Sequence, residues 1–310
     1  MTDNANVYHV PALLNESVDA LNIRDNGVYV DATFGGGGHS REILARLNSG
    51  AKLVAFDRDG DVLPNLPNDS RFLFVGNNFR FMQNFLRYHG IKKVDGIIAD
   101  LGVSSHHFDH CERGFSFRFP EAPIDMRMGQ QSATMASALL NAASQDKLQQ
   151  IFCEYGELKQ ARKIAQTIVA ARADKQFQTV GNLIDCLARI IPRHEENQTF
   201  PKVFQALRIE VNREMTALKH FLEQTTALLS PKGRLAVISY HSLEDRMVKN
   251  FMKTGNTEGQ TVKDFYGNEI TPFVLITKKA IVPDDGEIRR NSRSRSAKLR
   301  TAEKKSCHDE

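Results

Sequence analysis

The sequence of 310 residues contains no long apolar run. No stretch approaches the roughly 20 apolar residues of a membrane-spanning helix. The first residues also lack the basic and apolar segments of a secretion signal. We therefore expect a cytoplasmic protein with no membrane attachment. Paired cysteines are absent too, because no CxxC spacing occurs, so we expect reduced, unpaired thiols at Cys111, Cys153, Cys186 and Cys307.

A zinc-binding spacing is likewise missing. Segment 106–111 is rich in potential ligands, but its spacing matches no structural zinc pattern, and its cysteine is single. We expect no metal at this segment, whose ligand-type residues are His106, His107, Asp109, His110 and Cys111.

Charge is modest overall and uneven along the chain. The formal net charge is +4, with 41% hydrophobic and 25% charged residues, as in a soluble globular protein. The C-terminal part is strongly basic, which indicates either a solvated or disordered end or a surface that binds a polyanion. Its basic residues are Arg289, Arg290, Arg293, Arg295, Lys298, Arg300, Lys304 and Lys305.

The first hundred residues alternate between strand and helix patterns. Apolar segments 28–31, 52–57, 71–75 and 94–100 predict strands, and segments 39–47 and 81–88 predict helices between them. Such alternation with short links is typical of a parallel, doubly wound α/β sheet. A further strand is predicted at 234–240, and a late one at 271–279, whereas the pairing of residues 290–300 stays open.

The segment between Asp100 and Arg234 is far longer than one crossover helix needs. Apolar spacings of three and four residues predict helices at 145–155, 158–172 and 180–191, followed by one long helix from Val203 to Leu222. We therefore expect a helical domain inserted into the sheet domain, with the long helix returning to the sheet.

A glycine loop, Gly35 to Gly38, follows the first predicted strand, and Asp57 ends the second strand twenty residues after Gly37. This spacing is typical of a carboxylate that binds a ribose. The loop lacks the third glycine of GxGxxG, since Ser40 stands there, and GxxxxGK[ST] is absent. The remaining candidate is an adenosine-containing ligand without a pyrophosphate, and S-adenosylmethionine meets that description. Phe79 is then either a contact for the adenine ring or a core aromatic residue.

Asp31, Asp57 and Asp100 all end predicted strands, and ligands of parallel sheets bind at that edge. An exocyclic amine of a base is a poor nucleophile, so an acceptor for its proton would assist its methylation. Asp100 is our candidate for this catalytic role and for cofactor contact. The alternative is a buried aspartate that only caps the following turn.

Tyr240, His241 and Ser242 follow the strand predicted at 234–240. Tyr240 is able to stack on a base, and His241 is able to hydrogen-bond one. The alternative is packing plus a helix cap, with Ser242 as the favoured cap because Asp245 stands three residues later. Segments 112–117 and 125–128 form either a wall for a flipped-out base or a structural hinge.

Nine separate motifs, in this order, make the chain closely similar to the bacterial small-subunit ribosomal RNA cytosine N4-methyltransferases, the RsmH or MraW family. They are residues 9–16, 31–40, 56–59, 100–105, 112–117, 125–128, 204–212, 239–246 and 291–300. The chain departs from the family at His106-His107, where Pro-Gln is common, and at Ser292, where proline is frequent.

The resemblance implies a class I, Rossmann-like methyltransferase core made of residues 1–110 and 205–310. Residues 111–204 would form an inserted all-helical domain for substrate recognition. It implies methyl transfer from S-adenosylmethionine to N4 of a specific cytidine in the decoding region of 16S ribosomal RNA in the small ribosomal subunit. The cofactor contacts it implies are Gly37, Gly38, His39, Asp57, Phe79, Asp100 and His107.

RNA contacts are expected from Tyr240 and His241 at the cleft, and from Arg293 and Arg295, which would meet phosphates. Two other functions stay open. One is methylation of another amine, including DNA bases, although Leu101-Gly102-Val103 replaces the Pro-Pro-aromatic motif common in DNA amine methyltransferases. The other is a non-enzymatic ribosome-assembly factor that retains a cofactor fold.

Overall fold

The computed structural model describes residues 11–102, 111–129 and 134–306. The chain divides into two compact units, one of residues Met1–Gly102 and Met215–Glu310, the other of residues Val103–Glu214. We call them the sheet unit and the helical unit. The second division falls ten residues after the sequence-based boundary at 204/205, because the whole helix Glu196–Asn212 packs into the core of the helical unit.

The α-helices of the described ranges are α1 Leu14–Ala20, α2 Gly38–Arg46, α3 Met82–Tyr88, α4 Ala136–Ala142, α5 Gln145–Glu154, α6 Ala161–Asp174, α7 Val180–Ala188, α8 Glu196–Asn212, α9 Glu214–Leu228, α10 Ser242–Thr254 and α11 Asp285–Arg290. The strands are β1 Val28–Asp31, β2 Lys52–Phe56, β3 Phe72–Val75, β4 Val94–Asp100, β5 Leu229–Ser239, β6 Val262–Lys263, β7 Glu269–Ile270, β8 Phe273–Leu275 and β9 Lys298–Lys304. None of these helices combines the length and the apolar character needed to cross a membrane.

The sheet unit is built on a seven-stranded sheet of order β3-β2-β1-β4-β5-β9-β8. Strands β1 to β5 are parallel, and β9 is antiparallel to both of its neighbours. The predicted α/β class is confirmed. The strand order reverses between β1 and β4, and the carboxyl ends at such a switch point form the usual ligand crevice of doubly wound sheets.

Alternating side chains of the central strands supply two apolar cores, one on each face of the sheet. Val30, Val54 and Ile97 lie in a core with residues of α3, α9 and α10. Their immediate neighbours Tyr29 and Leu53 lie in the other core, with residues of α1 and α2. Both faces are buried, which explains why these strands are continuous apolar runs in the sequence.

The C-terminal strands show how residues 290–300 pair, which the sequence left open. β9 pairs with β5 in antiparallel register, with Arg234 opposite Glu303. The late strand predicted at 271–279 is shorter, since only Phe273–Leu275 pairs with β9. The basic segment before β9 forms α11 and a 3₁₀ turn, Ser292–Ser296.

Within the described residues, the α-helices α4 to α8 of the helical unit all contribute to one apolar core. The prediction of a single helix from Val203 to Leu222 is wrong. Arg213 adopts φ +50°, ends α8, and separates it from α9. The apolar spacing continues across this residue, so hydrophobic periodicity alone did not reveal the break.

Asn212, the last residue of α8, holds a loop of the helical unit. It is 5% exposed. Its Oδ1 accepts the Met128 N–H at 2.9 Å, and its Nδ2 donates to the Met126 carbonyl at 2.7 Å. Met126 has φ +59°, in the left-handed region, where a residue other than glycine is strained and is held by surrounding contacts. These bonds give segment 125–128 a structural role.

Replacing Asn212 should destabilise the helical unit. Asn212→Ala leaves a buried N–H and a buried carbonyl without this partner, so we expect the free energy of unfolding to fall by about 2–4 kcal/mol. Urea unfolding of the full chain, followed by hydrogen exchange in peptides of the helical unit, measures the change. Asn197→Ala, an exposed change on the same helix, is the control. An equal response of the two variants would contradict the assigned role.

Candidate active site at the carboxyl edge of the sheet

Three carboxylates lie at the carboxyl edge of the sheet. Asp31 ends β1, Asp100 ends β4, and Asp57 directly follows β2. Since β1 pairs with both β2 and β4, the three residues stand on adjacent strands at the switch point. The structure therefore brings these three predicted site residues to one edge of the sheet unit.

The glycine loop between β1 and α2 has a backbone that needs glycine at two points. Gly37 adopts φ +76° as the N-cap of α2, and a Cβ there would lie 2.7 Å from the Phe34 ring. A Cβ on Gly38 would lie 2.1 Å from Cγ of Pro11. The loop thus turns sharply and packs closely, and it leads into the N-terminus of α2 at the ligand crevice.

Asp57 ties this loop to β2. Its Oδ2 accepts the Gly35 N–H at 2.8 Å, and its Oδ1 accepts the Asp59 N–H at 2.9 Å. The residue is half-buried. The two bonds fix the orientation of a carboxylate whose oxygens offer about four acceptor sites in total.

Asp31 is a buried acid whose hydrogen bonds hold the residues on both sides of the same glycine loop. It is 1% exposed, and its carboxylate accepts the Ser40 hydroxyl at 2.7 Å and the Thr33 N–H at 3.1 Å. Burial raises the pKa of Asp31 to about 6, although both hydrogen bonds oppose the rise. Repulsion from Asp57 adds to it.

Asp100 carries the most perturbed carboxyl group of the edge. Its side chain is 22% exposed. The Tyr240 hydroxyl donates to Oδ1 at 2.8 Å, and the Asp100 N–H donates to Thr33 Oγ1 at 2.6 Å. Burial raises the pKa of Asp100 to about 7, with further repulsion from Asp31 and Glu244, while the bond from Tyr240 lowers it. A carboxyl group with this pKa exchanges protons readily near neutral pH.

His39, at the start of α2, is buried and neutral. Burial lowers its pKa to about 4, against a smaller opposing effect of a backbone hydrogen bond with Ala12. Nδ1 lies 3.8 Å from Asp100 Oδ2, and because the imidazole is uncharged at neutral pH, the two side chains do not form an ion pair there. Nε2 has no hydrogen-bond partner within the described ranges, although it is buried. A buried polar atom without a partner is uncommon in a packed core, so this nitrogen is a candidate for contact with a ligand or a water molecule.

Phe79 lies just past β3, at the same edge of the sheet. It is half-buried, and its ring packs edge-on against Phe221 of α9 with centroids 5.3 Å apart. The ring therefore packs in part against the core, and its contact with an adenine ring stays a prediction. His107 lies outside the described residues.

Tyr240 and His241 have local partners that the sequence did not reveal. Glu244 is 3% exposed, and its Oε2 accepts the Tyr240 N–H at 3.0 Å. His241 is the N-cap of α10, since its Nδ1 accepts the Glu244 N–H in a capping box. The prediction of Ser242 as the cap is therefore one residue off. The pattern His241-x-x-Glu244 was the available signal, but histidine is not among the usual capping residues.

Arg293 and Arg295 are exposed on the 3₁₀ turn Ser292–Ser296, between α11 and β9. Asn291 caps this turn by accepting the Arg293 N–H at 3.2 Å. The turn has a fixed backbone, and it presents both side chains to solvent.

The raised pKa of Asp100 predicts a pH-dependent stability. The folded pKa is about 7, against roughly 3.9 in an unfolded chain. The folded state therefore binds an extra proton between these values, and the free energy of unfolding contributed by Asp100 falls as pH rises from about 4 through 7. Asp100→Asn removes this contribution, so its stability relative to the parent chain should increase over that range and level off above it.

Urea titrations of both chains between pH 4 and 9 test this expectation. His39 and Asp31 are present in both chains, but Asp31 is coupled to Asp100 by repulsion, so the difference reports the titration of Asp100 together with the change it causes in Asp31. A difference independent of pH would mean that Asp100 has an ordinary pKa in the folded state.

Comparison with known proteins agrees with the motifs. A family model described as the MraW methylase family matches residues 6–305. Among curated relatives, the Bacteroides fragilis protein named ribosomal RNA small subunit methyltransferase H is 57% identical over 305 residues, which is 98% of this chain and all of that protein. Proteins of the same name from Bacteroides thetaiotaomicron and Flavobacterium johnsoniae are 58% and 54% identical, each over 96% of this chain and 98% of the relative. The resemblance is confirmed, and the chain belongs to the MraW methylase family.

Proposed function

We propose that this chain transfers a methyl group from S-adenosylmethionine to the exocyclic N4 of a specific cytidine in the decoding region of 16S ribosomal RNA, within the small ribosomal subunit. The chain is an S-adenosylmethionine-dependent ribosomal RNA methyltransferase. The observation that carries this conclusion is the full-length family match, together with an intact carboxylate edge at the switch point of the sheet. A cytoplasmic location follows from that substrate.

The residues at the carboxyl edge suit this cofactor. S-adenosylmethionine supplies an electrophilic methyl group on a cationic sulfur, which leaves as a neutral thioether. Asp31, Asp57 and Asp100 give the edge a negative potential that favours a cation. The buried Nε2 of His39, which has no partner within the described ranges, offers a polar contact to the cofactor.

Each contact residue has a distinct task in this proposal. Asp57 accepts the ribose hydroxyls, with its orientation set by the Gly35 and Asp59 N–H groups. Gly37 and Gly38 let the backbone approach the methionine end of the cofactor. The accessible part of Phe79 contacts the adenine. His107, which the resemblance adds to this set, stays a prediction.

Asp100 supplies the proton acceptor. The lone pair of the N4 amine is delocalised into the cytosine ring, so the amine gains nucleophilicity when a carboxylate accepts a hydrogen bond from it. After the nitrogen gains a methyl group it must lose one proton, and the Asp100 carboxylate takes that proton to become a neutral carboxylic acid. The pKa of about 7 suits both tasks near neutral pH.

RNA is held by other parts of the chain. Arg293 and Arg295 are exposed and meet phosphates, which position the substrate without reading its sequence. The helical unit, residues Val103–Glu214, serves substrate recognition. The His241 side chain is only 9% exposed, so its role in the ligand crevice is to cap α10 rather than to present an exposed ring to the RNA.

The cofactor assignment predicts a loss of affinity in Asp57→Asn. The variant keeps one oxygen for the Gly35 N–H but loses the charged pair of acceptors for a ribose. We expect the dissociation constant of S-adenosylmethionine to rise at least tenfold, because a hydrogen bond to a charged group contributes about 1.5–3 kcal/mol. Isothermal titration calorimetry measures it directly.

Asp69→Asn is the matched control for that experiment. Asp69 is also a carboxylate of the sheet unit, but it precedes β3 at the opposite edge and pairs with Arg71. Its replacement should leave the affinity for S-adenosylmethionine unchanged. Equal affinity of Asp57→Asn and the parent chain would show that Asp57 does not bind the cofactor.

Transfer of labelled methyl groups tests the proposed reaction. The chain is incubated with labelled S-adenosylmethionine and small ribosomal subunits that lack their own cytidine methylation, and the RNA is digested to nucleosides. We expect N4-methylated cytidine at a single site in the decoding region. Label in another nucleoside of this RNA, or in DNA supplied in a parallel reaction, would assign another amine as the substrate. Cofactor binding with no transfer would favour an assembly factor.

A further inference from the structure

Within the described residues, the side chain that hydrogen-bonds the carboxylate of Asp100, the candidate proton acceptor, belongs to Tyr240. β4 and β5 are neighbouring parallel strands with Asp100 opposite Ile238, so the residues that follow β5 lie beside the end of β4. From this position the Tyr240 hydroxyl donates to Asp100 Oδ1 at 2.8 Å. A ring used only for stacking on a base would not require its hydroxyl to point at a carboxylate.

Tyr240 is held in place from two sides. The buried Glu244 fixes its backbone by accepting the Tyr240 N–H at 3.0 Å. Gly102 fits closely beside the ring, because a Cβ at that residue would lie 3.3 Å from Tyr240 Cδ2. Gly102 also has φ +107°, where a side chain would be strained. Backbone and ring are thus both constrained, and the hydroxyl has a defined direction.

The bond from Tyr240 makes the two oxygens of Asp100 unequal. Oδ1 already accepts a hydrogen bond. No hydrogen bond to Oδ2 is found within the described residues, and the neutral ring of His39 lies near it, with Nδ1 3.8 Å away. Titratable groups that face the pair are His39 on α2, Asp31 on β1, Glu244 on α10 and Glu287 on α11.

We propose that Tyr240 is a positioning residue for methyl transfer, which binds Asp100 Oδ1 and thereby orients Oδ2 as the oxygen that accepts the proton of the substrate amine. This inference rests on the proposed function. In the balanced step the amine gains one methyl group and releases one proton to Oδ2. Tyr240 keeps its own proton throughout.

The acid–base properties of the pair agree with this division of tasks. Burial, reinforced by the charge of Asp100 and the hydrogen bond to it, raises the pKa of Tyr240 well above its usual 10, so the hydroxyl remains a donor at working pH. The same bond lowers the pKa of Asp100. Removing the hydroxyl should therefore raise the pKa of Asp100 and reduce the fraction of the carboxylate form at neutral pH.

Kinetics of Tyr240→Phe against pH test the inference. At saturating S-adenosylmethionine we expect the acid limb of kcat/KM for RNA to move up by about one pH unit. The loss should therefore be about tenfold larger below the midpoints than at pH 9, where the remaining loss reports the lost orientation of Oδ2. The KM for S-adenosylmethionine should stay unchanged. An acid limb that stays in place would show that the Tyr240 hydroxyl does not act through the Asp100 carboxylate and would overturn the proposal.

Tyr29→Phe is the control for loss of a buried tyrosine hydroxyl in the same unit. The Tyr29 hydroxyl accepts the Arg24 N–H at 2.6 Å and has no contact with Asp100. Its replacement should leave the midpoint of the pH profile in place. A shift equal to that of Tyr240→Phe would show that the profile reports general destabilisation.

Carboxyl ¹³C NMR titration separates this inference from the proposed reaction, because it needs no substrate. Asp100→Asn identifies the resonance, and Tyr240→Phe should raise its midpoint by about one unit. An unchanged midpoint would overturn the pairing even if RNA is methylated. A raised midpoint with no methyl transfer into RNA would retain the pairing and reject the proposed function.

Discussion

Like charges gathered at one edge of a parallel sheet are the constraint on which the site depends. β1, β2 and β4 run in the same direction, so Asp31, Asp57 and Asp100 lie at the same edge of the sheet. Repulsion between these carboxylates has to be offset by neighbouring groups. Backbone N–H groups, hydroxyls and partial protonation offset it. A backbone N–H of the glycine loop binds Asp57, and the hydroxyls of Ser40 and Tyr240 bind the other two carboxylates. The groups that stabilise the three carboxylates therefore also fix the conformation of the glycine loop and of the ligand crevice.

This arrangement prepares the edge for a cationic ligand. Two of the carboxyl groups have raised pKa values, and a nearby positive charge would favour their ionised forms. His39 stays neutral beside them, so it does not cancel the negative potential. In the proposed reaction, a bound sulfonium cofactor would therefore favour the carboxylate form of Asp100, which is the form that accepts a proton.

Much of this edge could be predicted from the sequence, because its signals are local. Apolar runs that each end in an aspartate indicate both the strands and the side of the sheet that carries the acids. The bond from Tyr240 to Asp100 joins residues 140 positions apart, so no local pattern encodes it. The break at Arg213 escaped prediction because an αL residue ended the helix without glycine or proline. The cap of α10 escaped it because His241 stands where Ser, Thr, Asp or Asn is usual.

The most direct test of the central claim is a crystal structure of the chain with S-adenosylhomocysteine, the demethylated product of the cofactor. The account predicts that the ribose hydroxyls lie within hydrogen-bond distance of the Asp57 carboxylate and that the sulfur faces Asp100. A ribose bound away from Asp57, with that carboxylate contacting only the loop backbone, would contradict the account.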